Sequence, residues 1–329
     1  LKLDKALKLA KEDIKSGKNE KAENIYRDIL EKFPKNRKAS EGIKLIQSRS
    51  CNIGLSIQDP PAEQLQNLFS LLNAGQLEKT LNHALKSLVE FPNSAILYNL
   101  VGISNQGLGR LDESIRAFNK ALTFSPKNVD TLYNLGNALH DKGKLEEAIE
   151  AYQKAVLIEP NYAEVHNNMG IALKDRGKLE EAKGAYIKAY KIKPDYVDAY
   201  NNLGLLLKDQ GKFEEAIGEF AKALNIEPLN ADVYFNMGIV LQEQGKIEAA
   251  KSAYSKALKI NPNFFDAYNN TGILLKDQGK LEEAIVAFKE ALKIEPRNAD
   301  VYFNMGFVFQ SHGKLEEAMN AFTKSVSIN

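Results

Sequence analysis

The chain has 329 residues, of which 44% are hydrophobic and 26% charged, and its formal net charge is +1. No apolar run approaches the ~18 residues that a membrane-spanning helix needs, and no signal-peptide pattern is present, so we expect a cytoplasmic protein without a membrane segment. The single cysteine, Cys51, excludes an internal disulfide and is compatible with a reducing compartment. Residues 1–49 are net basic and the remainder is net acidic, a balance that does not favour nucleic-acid binding.

The chain begins with a segment, residues 1–48, that we predict to be a separate helical module. Residues 3–36 are predicted to be a divergent copy of the unit that recurs in the rest of the chain, on the evidence of four residues at matching places: Gly17, Ala22, Tyr26 and Pro34. Residues 37–48 are predicted to form one further helix without a partner. Residues 49–60 break helical periodicity and end at Pro60, which Pro61 follows directly, so we expect a linker there.

From residue 61 to residue 329 the sequence repeats itself every 34 residues. The clearest marker is a recurring proline: Pro92, Pro126, Pro160, Pro194, Pro228, Pro262 and Pro296. Two series of glycines, starting at Gly75 and Gly102, have the same period. A fixed period of this size is the signature of stacked-repeat proteins. The predicted repeats are 61–94, 95–128, 129–162, 163–196, 197–230, 231–264, 265–298 and 299–329.

Each repeat is predicted to be a pair of antiparallel helices. In the repeat 197–230, apolar residues follow helical spacing from Tyr200 to Leu207 and again from Phe213 to Leu224. Gly211 lies between the two stripes and is suited to the left-handed conformation that ends a helix. One pair could not offset the conformational entropy lost on folding, so the pairs must stack on one another.

The conserved spacing within each repeat resembles the tetratricopeptide repeat family. In the repeat 129–162, the family's glycine, alanine, aromatic and proline places are Gly136, Ala148, Tyr152 and Pro160. The first repeat of the array departs from this pattern, with Leu68 and Thr80 at the glycine and alanine places. The resemblance implies an all-α fold, a right-handed superhelical solenoid of about nine repeats whose first helices line a concave groove.

The end of the chain carries two further patterns. The string NADVYFNMG occurs at 230–238 and again at 298–306, which indicates duplication of a pair of repeats. No polar capping helix follows the last repeat, so we expect the sequence to be truncated at Asn329. Apolar surface around Phe322, Val326 and Ile328 predicts that the chain can self-associate.

Catalysis has little support in the sequence. The histidines occupy different places in different repeats and have no metal-ligand spacing: His83, His140, His166 and His312. Paired carboxylates such as Glu214 and Glu215 recur in most repeats, where they suit the dipole at the start of the second helix. We therefore expect no catalytic residues, no metal and no cofactor.

The candidate binding residues form a column of asparagines at the sixth place of the first helices: Asn134, Asn168, Asn202, Asn236, Asn270 and Asn304. An amide both donates and accepts, so such a column can pair with the backbone of an extended peptide whatever its sequence. It resembles the asparagine ladder in the superhelical arm of O-linked N-acetylglucosamine transferases. The alternative is that each amide ties its own helix to a neighbouring repeat.

Beside the asparagines, Leu205 and Ile239 are predicted to give the groove an apolar floor, with aromatic contacts from Phe235 and Phe303. The equivalent apolar places elsewhere are Ile171, Ile273 and Phe307. In the N-terminal module the matching stripe carries lysines, which are either a site for an acidic peptide or a solvated face: Lys8, Lys11 and Lys15.

The sequence therefore predicts a non-catalytic scaffold that binds an extended peptide or protein segment in its groove. The alternative is the substrate-recruiting arm of a glycosyl-, sulfo- or methyltransferase whose catalytic domain lies outside this chain, because similar arrays precede such domains. RNA binding would require basic groove positions, which the array lacks.

Overall fold

The computed structural model describes residues 3–15, 19–33, 36, 38–43 and 59–328, and every regular element within them is a helix. The chain divides into two compact units, Leu1–Thr131 and Leu132–Asn329. Cys51, Gly17, Pro34 and most of the predicted linker lie outside the described residues. The expected all-α solenoid of antiparallel helix pairs is confirmed.

Unit 1 begins with three helices and continues with two complete helix pairs. The first three are α1 (Leu3–Lys15), α2 (Asn19–Lys32) and α3, of which residues 38–43 are described. The pairs are α4 (Ala62–Asn73) with α5 (Leu77–Glu90), and α6 (Ala95–Gly107) with α7 (Leu111–Phe124). Helix α8 (Val129–Asp141) spans the division between the units.

The three N-terminal helices share a small core around Tyr26. The ring is buried together with Ala10 and Ala22 from the first pair and Ala39 from α3. A methyl group added to Gly42 would overlap the ring, so the glycine allows α3 to approach Tyr26 closely. Helix α3 therefore packs against the first pair.

The first repeat of the array exchanges the sizes of two residues. Leu68 stands at the glycine place and is 2% exposed, whereas Ala84 stands at the aromatic place and is fully buried. Both belong to the same hydrophobic core. The large side chain thus comes from the first helix here and from the second helix in later repeats, which explains why this repeat departs from the pattern without losing its core.

Unit 2 consists of successive first and second helices. The first helices after α8 are α10 (Ala163–Asp175), α12 (Val197–Asp209), α14 (Ala231–Glu243), α16 (Phe265–Asp277) and α18 (Ala299–Ser311). The second helices are α9 (Leu145–Ile158), α11 (Leu179–Ile192), α13 (Phe213–Ile226), α15 (Ile247–Ile260), α17 (Leu281–Ile294) and α19 (Leu315–Ile328). From α9 onward each helix packs against the next one along the chain. Three pairs of first helices in neighbouring repeats also touch: α10 with α12, α12 with α14, and α16 with α18.

Each pair in unit 2 is held together by an aromatic ring that lies on a glycine. The Phe220 ring is fully buried, and a methyl group on Gly204 would lie 2.5 Å from its Cε1 atom. The small residues on these helices therefore let the two backbones approach closely. The expected left-handed glycine between the helices is also observed, since Gly211 has a φ of +70°.

The duplicated string produces the same helix start twice. Asn230 caps α14 by accepting a hydrogen bond from the Val233 backbone N–H (3.1 Å), and Asn298 caps α18 through Val301 at the same distance. Within the described part of the chain, no helix has both the length and the apolar character required to cross a bilayer.

Candidate functional site

Each first helix in unit 2 has one stripe inside the stack and another that remains accessible. In α12 the inner stripe includes Leu203 and Leu206, which are buried. The outer stripe includes Asn202 and Leu205, which are half-buried, and Asp198, which is exposed. We call the outer stripes of unit 2 the first-helix face, formed by the second, fifth, sixth, ninth and thirteenth places of each repeat.

The sixth-place asparagines of two repeats donate to the preceding repeat. The Nδ2 atom of Asn202 donates to Oδ1 of Asn167, and the Nδ2 atom of Asn236 donates to Oδ1 of Asn201, both at 3.0 Å. Each acceptor stands at the fifth place of the earlier first helix. These side chains therefore connect neighbouring repeats, as the structural alternative for the column requires.

Asn168 belongs to a larger network. Its Nδ2 atom donates both to the Tyr133 hydroxyl and to Oδ1 of Asn137, each at 3.0 Å. The Tyr152 hydroxyl donates to the same Asn137 oxygen at 2.7 Å. Burial raises the pKa of Tyr152 above its ordinary value, so this hydroxyl stays protonated and acts as a donor.

The pattern of hydrogen bonds between repeats changes at Phe235. This residue holds the fifth place of its repeat, and its side chain has no hydrogen-bond acceptor. The next asparagine, Asn270, instead contacts the hydroxyl of Tyr254, which donates to Oε1 of Gln242 at 2.8 Å. Burial raises the pKa of Tyr254 to about 12, although the hydrogen bond with Asn270 opposes this. Because the fifth place is apolar here, Asn270 forms its hydrogen bond with the core residue Tyr254 instead of with a residue on the face.

The last asparagine of the column, Asn304, has no hydrogen bond to the preceding repeat within the described residues. Within the described residues, the Asn304 side chain makes no hydrogen bond, and the fifth-place oxygen that precedes it, Oδ1 of Asn269, is buried without a partner. The core aromatic of that earlier repeat is Phe288, so no tyrosine hydroxyl is available either. Asn134 and Asn304 are both half-buried, like the rest of the column.

The ninth places supply the apolar part of the face. Leu205, Ile239 and Ile273 are half-buried. At the end of unit 2, Phe303 and Phe307 are 49% and 43% exposed and pack edge to face, with their ring centroids 4.8 Å apart. Phe235 is less accessible, because it packs against Phe264 at a centroid distance of 4.9 Å.

Charge is confined to the two edges of the face. At the second place, four consecutive repeats carry exposed carboxylates: Asp198, Asp232, Asp266 and Asp300. At the other edge, Asp209 and Asp277 are neutralised by the preceding lysines, Lys208 and Lys276, at 3.1 and 3.4 Å. The fifth, sixth and ninth places in unit 2 hold no charged residue.

Two of the histidines contact carboxylates. His140 contacts Oδ2 of Asp175 at 2.8 Å and His312 contacts Oε1 of Glu282 at 3.3 Å, both between neighbouring repeats. In the described ranges, no three His, Cys, Asp or Glu side chains are placed to hold a metal ion. In the N-terminal module Lys8 and Lys11 are exposed, and the acidic-peptide site there stays a prediction.

The structure thus brings the predicted residues onto one face, and their assignment to peptide binding stays a prediction. Sequence reasoning named the aromatic fifth places Phe235 and Phe303 but missed the fifth-place acceptors Tyr133, Asn167 and Asn201. The doubled asparagines at 167–168, 201–202 and 269–270 were the visible signal. The arrangement can bind a chain by hydrogen bonds and apolar contacts, which defines a helical-repeat interaction scaffold.

Comparison with known proteins agrees with this class. The TPR repeat family matches residues 108–143, 136–175, 171–211, 204–245 and 274–313, which together make up more than half of the chain. Other tetratricopeptide repeat families match residues 231–264, 253–286 and 299–329. The chain belongs to the tetratricopeptide repeat family, and it is a protein-interaction scaffold of that class.

Solved structures of repeat proteins are also similar to the chain. A tetratricopeptide repeat protein from Parabacteroides merdae is 20% identical, with a TM-score of 0.55 over 69% of this chain and 90% of its own. PilF from Pseudomonas aeruginosa is 22% identical, with a TM-score of 0.53 over 59% and 88%. YrrB, described as having an unusual peptide-binding site, is 26% identical, with a TM-score of 0.46 over 55% and 93%. No curated protein matches the chain.

Proposed function

We propose that unit 2 binds an extended segment of another protein along the first-helix face, without catalysis. The observation that carries this proposal is the uncharged character of the centre of the face, where amides alternate with half-buried aliphatic and exposed aromatic side chains. Such a surface can contact the backbone and the apolar side chains of a bound chain together.

The ties between repeats determine what the asparagines can offer a ligand. Because Nδ2 of Asn202 and of Asn236 donates to the preceding repeat, the part left for a ligand is Oδ1, which accepts no hydrogen bond within the described residues. These two side chains would accept from backbone N–H groups of the bound segment. Asn304, which is untied, could both donate and accept.

The test uses an array of unstructured 15-residue peptides of varied sequence, probed with the full chain. Peptides that bind are then measured in solution by fluorescence anisotropy against the variant Leu205→Glu/Ile239→Glu/Ile273→Glu. We expect the variant to lose at least tenfold in affinity, because charges would replace the apolar centre of the face. The control is Leu229→Glu/Val286→Glu, at residues that are 80% and 60% exposed and lie off the face.

Two results would contradict the proposal. One is the absence of binding by any peptide on the array. The other is an equal loss of affinity in the face variant and in the control variant, which would place the bound peptide elsewhere.

We also propose that the chain self-associates through α19. Met319 and Val326 are 71% and 76% exposed, whereas Ile149 and Ile285, the counterparts of Met319 in two earlier repeats, are buried. The test is sedimentation of the full chain across a range of concentrations. A concentration-dependent dimer that Met319→Glu/Val326→Glu abolishes would support self-association, and a monomer at every concentration would exclude it.

A further inference from the structure

We infer that the segment bound on the first-helix face is both basic and apolar, with a Lys or Arg at about every third residue and large apolar side chains between them. This inference rests on the proposed function and names the chemistry of its partner. It concerns the last three repeats of unit 2, where the face is most apolar and where the second-place carboxylates have no ion-pair partner within the described residues.

The apolar part of the argument comes from the end of the unit. Ile239 and Ile273 continue into Phe303 and Phe307, and the ring of Phe307 also packs edge to face on Phe322 at a centroid distance of 5.3 Å. Although the aromatic side chains contact one another, about half of Phe303 remains exposed. Large apolar side chains of a bound segment would cover this surface.

The carboxylates at the edge of this surface indicate the charge of the occupant. Within the described residues, Asp232, Asp266 and Asp300 make no ion pair, and they are exposed. Their position in the first turn of a helix accounts for the residue type but does not neutralise them. The equivalent Glu164 of an earlier repeat has a partner, since Lys193 contacts it at 3.1 Å.

Carboxylates of the second helices differ, because many of them are already paired. Glu214 contacts Lys246 at 2.9 Å, and Glu283 contacts Lys251 at 3.4 Å. In the repeats 231–264 and 299–329, Gln242 and Gln310 stand where Lys208 and Lys276 stand in other repeats, so these two repeats lack a lysine beside the face. Asp232, Asp266 and Asp300 therefore place unpaired negative charge beside the most apolar part of the face, and a basic segment complements it.

The spacing of the carboxylates sets the spacing expected in the ligand. Helices in direct contact lie about 10 Å apart, and an extended chain advances about 3.3 Å per residue. One repeat of the scaffold thus corresponds to about three residues of the ligand. A cation at every third position would meet Asp232, Asp266 and Asp300 in turn.

The experiment uses three labelled 13-residue peptides that carry Lys, Gln or Glu at every third position and the same Leu, Phe and Ser residues elsewhere. We expect the full chain to bind the lysine peptide about tenfold more tightly than the glutamine peptide at low salt. The glutamate peptide should bind weakest, and the differences should shrink as salt screens the exposed charges. A fourth peptide, with Lys retained and every Leu and Phe changed to Ser, should bind at least tenfold more weakly than the lysine peptide.

The matched variants are Asp232→Asn/Asp266→Asn/Asp300→Asn and, as a control, Glu248→Gln/Glu282→Gln/Glu316→Gln, which removes the same charge from the second helices. The aspartate variant should bind the lysine peptide no better than the glutamine peptide, and the control should behave as the unmodified chain does. Equal binding of the charged peptides, equal effects of the two variants, or full binding of the serine peptide would each overturn the inference while the proposed function stands. Failure of all four peptides, together with a blank peptide array, would overturn the proposed function itself.

Discussion

The side-chain amide of Asn202 donates to the side-chain oxygen of Asn167, 3.0 Å away and one repeat earlier. Asn167 is buried, and its own Nδ2 atom donates to Oδ1 of Asn168 at 3.2 Å. One hydrogen bond therefore fixes two neighbouring first helices at a definite register. The oxygen of Asn202 accepts no hydrogen bond within the described residues.

Asn202→Ala should lower the free energy of unfolding by about 1–2 kcal/mol, because the buried oxygen of Asn167 would lose its donor. The matched control is Asn304→Ala, since the Asn304 side chain has no hydrogen-bond partner within the described residues and its loss should cost under ~0.5 kcal/mol. Urea denaturation followed by circular dichroism measures both. Equal effects at the two sites would show that the tie contributes nothing to stability.

Gly204→Ala should destabilise the chain by about 1–3 kcal/mol, because the added methyl group would meet the fully buried Phe220 ring. Gly218→Ala is the matched control, since Gly218 lies in the helix that carries Phe220 and a Cβ atom there meets nothing within 4 Å. That change should stabilise the chain by about 0.5–1 kcal/mol through helix propensity. The same sign for both changes in thermal unfolding would refute the packing argument.

Leu68 and Ala84 should show strong coupling in a double-mutant cycle, because they share one core in which their sizes are exchanged relative to other repeats. Leu68→Gly alone leaves a cavity, and Ala84→Phe alone overfills the core. The combination recreates the glycine and ring of the other repeats and should recover about 1–3 kcal/mol relative to the sum of the single changes. Additive effects would mean that the two side chains do not share one space.

His166 should make stability depend on pH. The side chain is 2% exposed, its Nε2 atom contacts the Pro160 carbonyl oxygen at 2.9 Å, and burial lowers its pKa. The unfolded chain therefore binds a proton more readily than the folded chain, so stability is full above about pH 6.5 and falls as the pH drops below it. Urea midpoints measured between pH 8 and pH 5 should show this decrease.

His166→Tyr should remove that part of the decrease. Tyrosine stands at the same place in Tyr200, whose hydroxyl donates to the Pro194 carbonyl oxygen at 3.2 Å, so the substitution preserves the contact without a group that titrates near neutral pH. His83→Gln, at an exposed histidine, serves as the control. An unchanged pH profile in His166→Tyr would place the acid sensitivity in other groups.

Most of the fold could be predicted because the structure of each repeat is determined by residues that are close together in the sequence. The period of 34, the helical stripes and glycines such as Gly211 each depend on a few neighbouring residues, and together they define the helix pair. The family followed from the same places. Only one half of the exchange between Leu68 and Ala84 could be predicted. The leucine at the glycine place is evident from the sequence, but it does not show which other side chain makes room for it.

The candidate site was less predictable, because its hydrogen bonds cross between repeats. The column of sixth-place asparagines could be read from the sequence, but the partner of each depends on the fifth place of the preceding repeat. Phe235 illustrates this dependence, because an apolar fifth place redirects Asn270 to the Tyr254 hydroxyl. The fifth place is not sufficient by itself, since the oxygen of Asn269 precedes Asn304 and stays unpaired. The same residue type thus has a different environment in successive repeats.

The contact of Phe220 with Gly204 has an evolutionary consequence, because both residues lie inside one 34-residue repeat. A gene duplication that copies whole repeats keeps the contact intact, and the array can lengthen without any compensating mutation. Side chains that reach into the neighbouring repeat, such as Asn202, depend on a residue outside their own repeat. Their hydrogen bonds must therefore form anew at each new junction. Growth by unequal recombination would therefore preserve the scaffold while it diversifies the first-helix face.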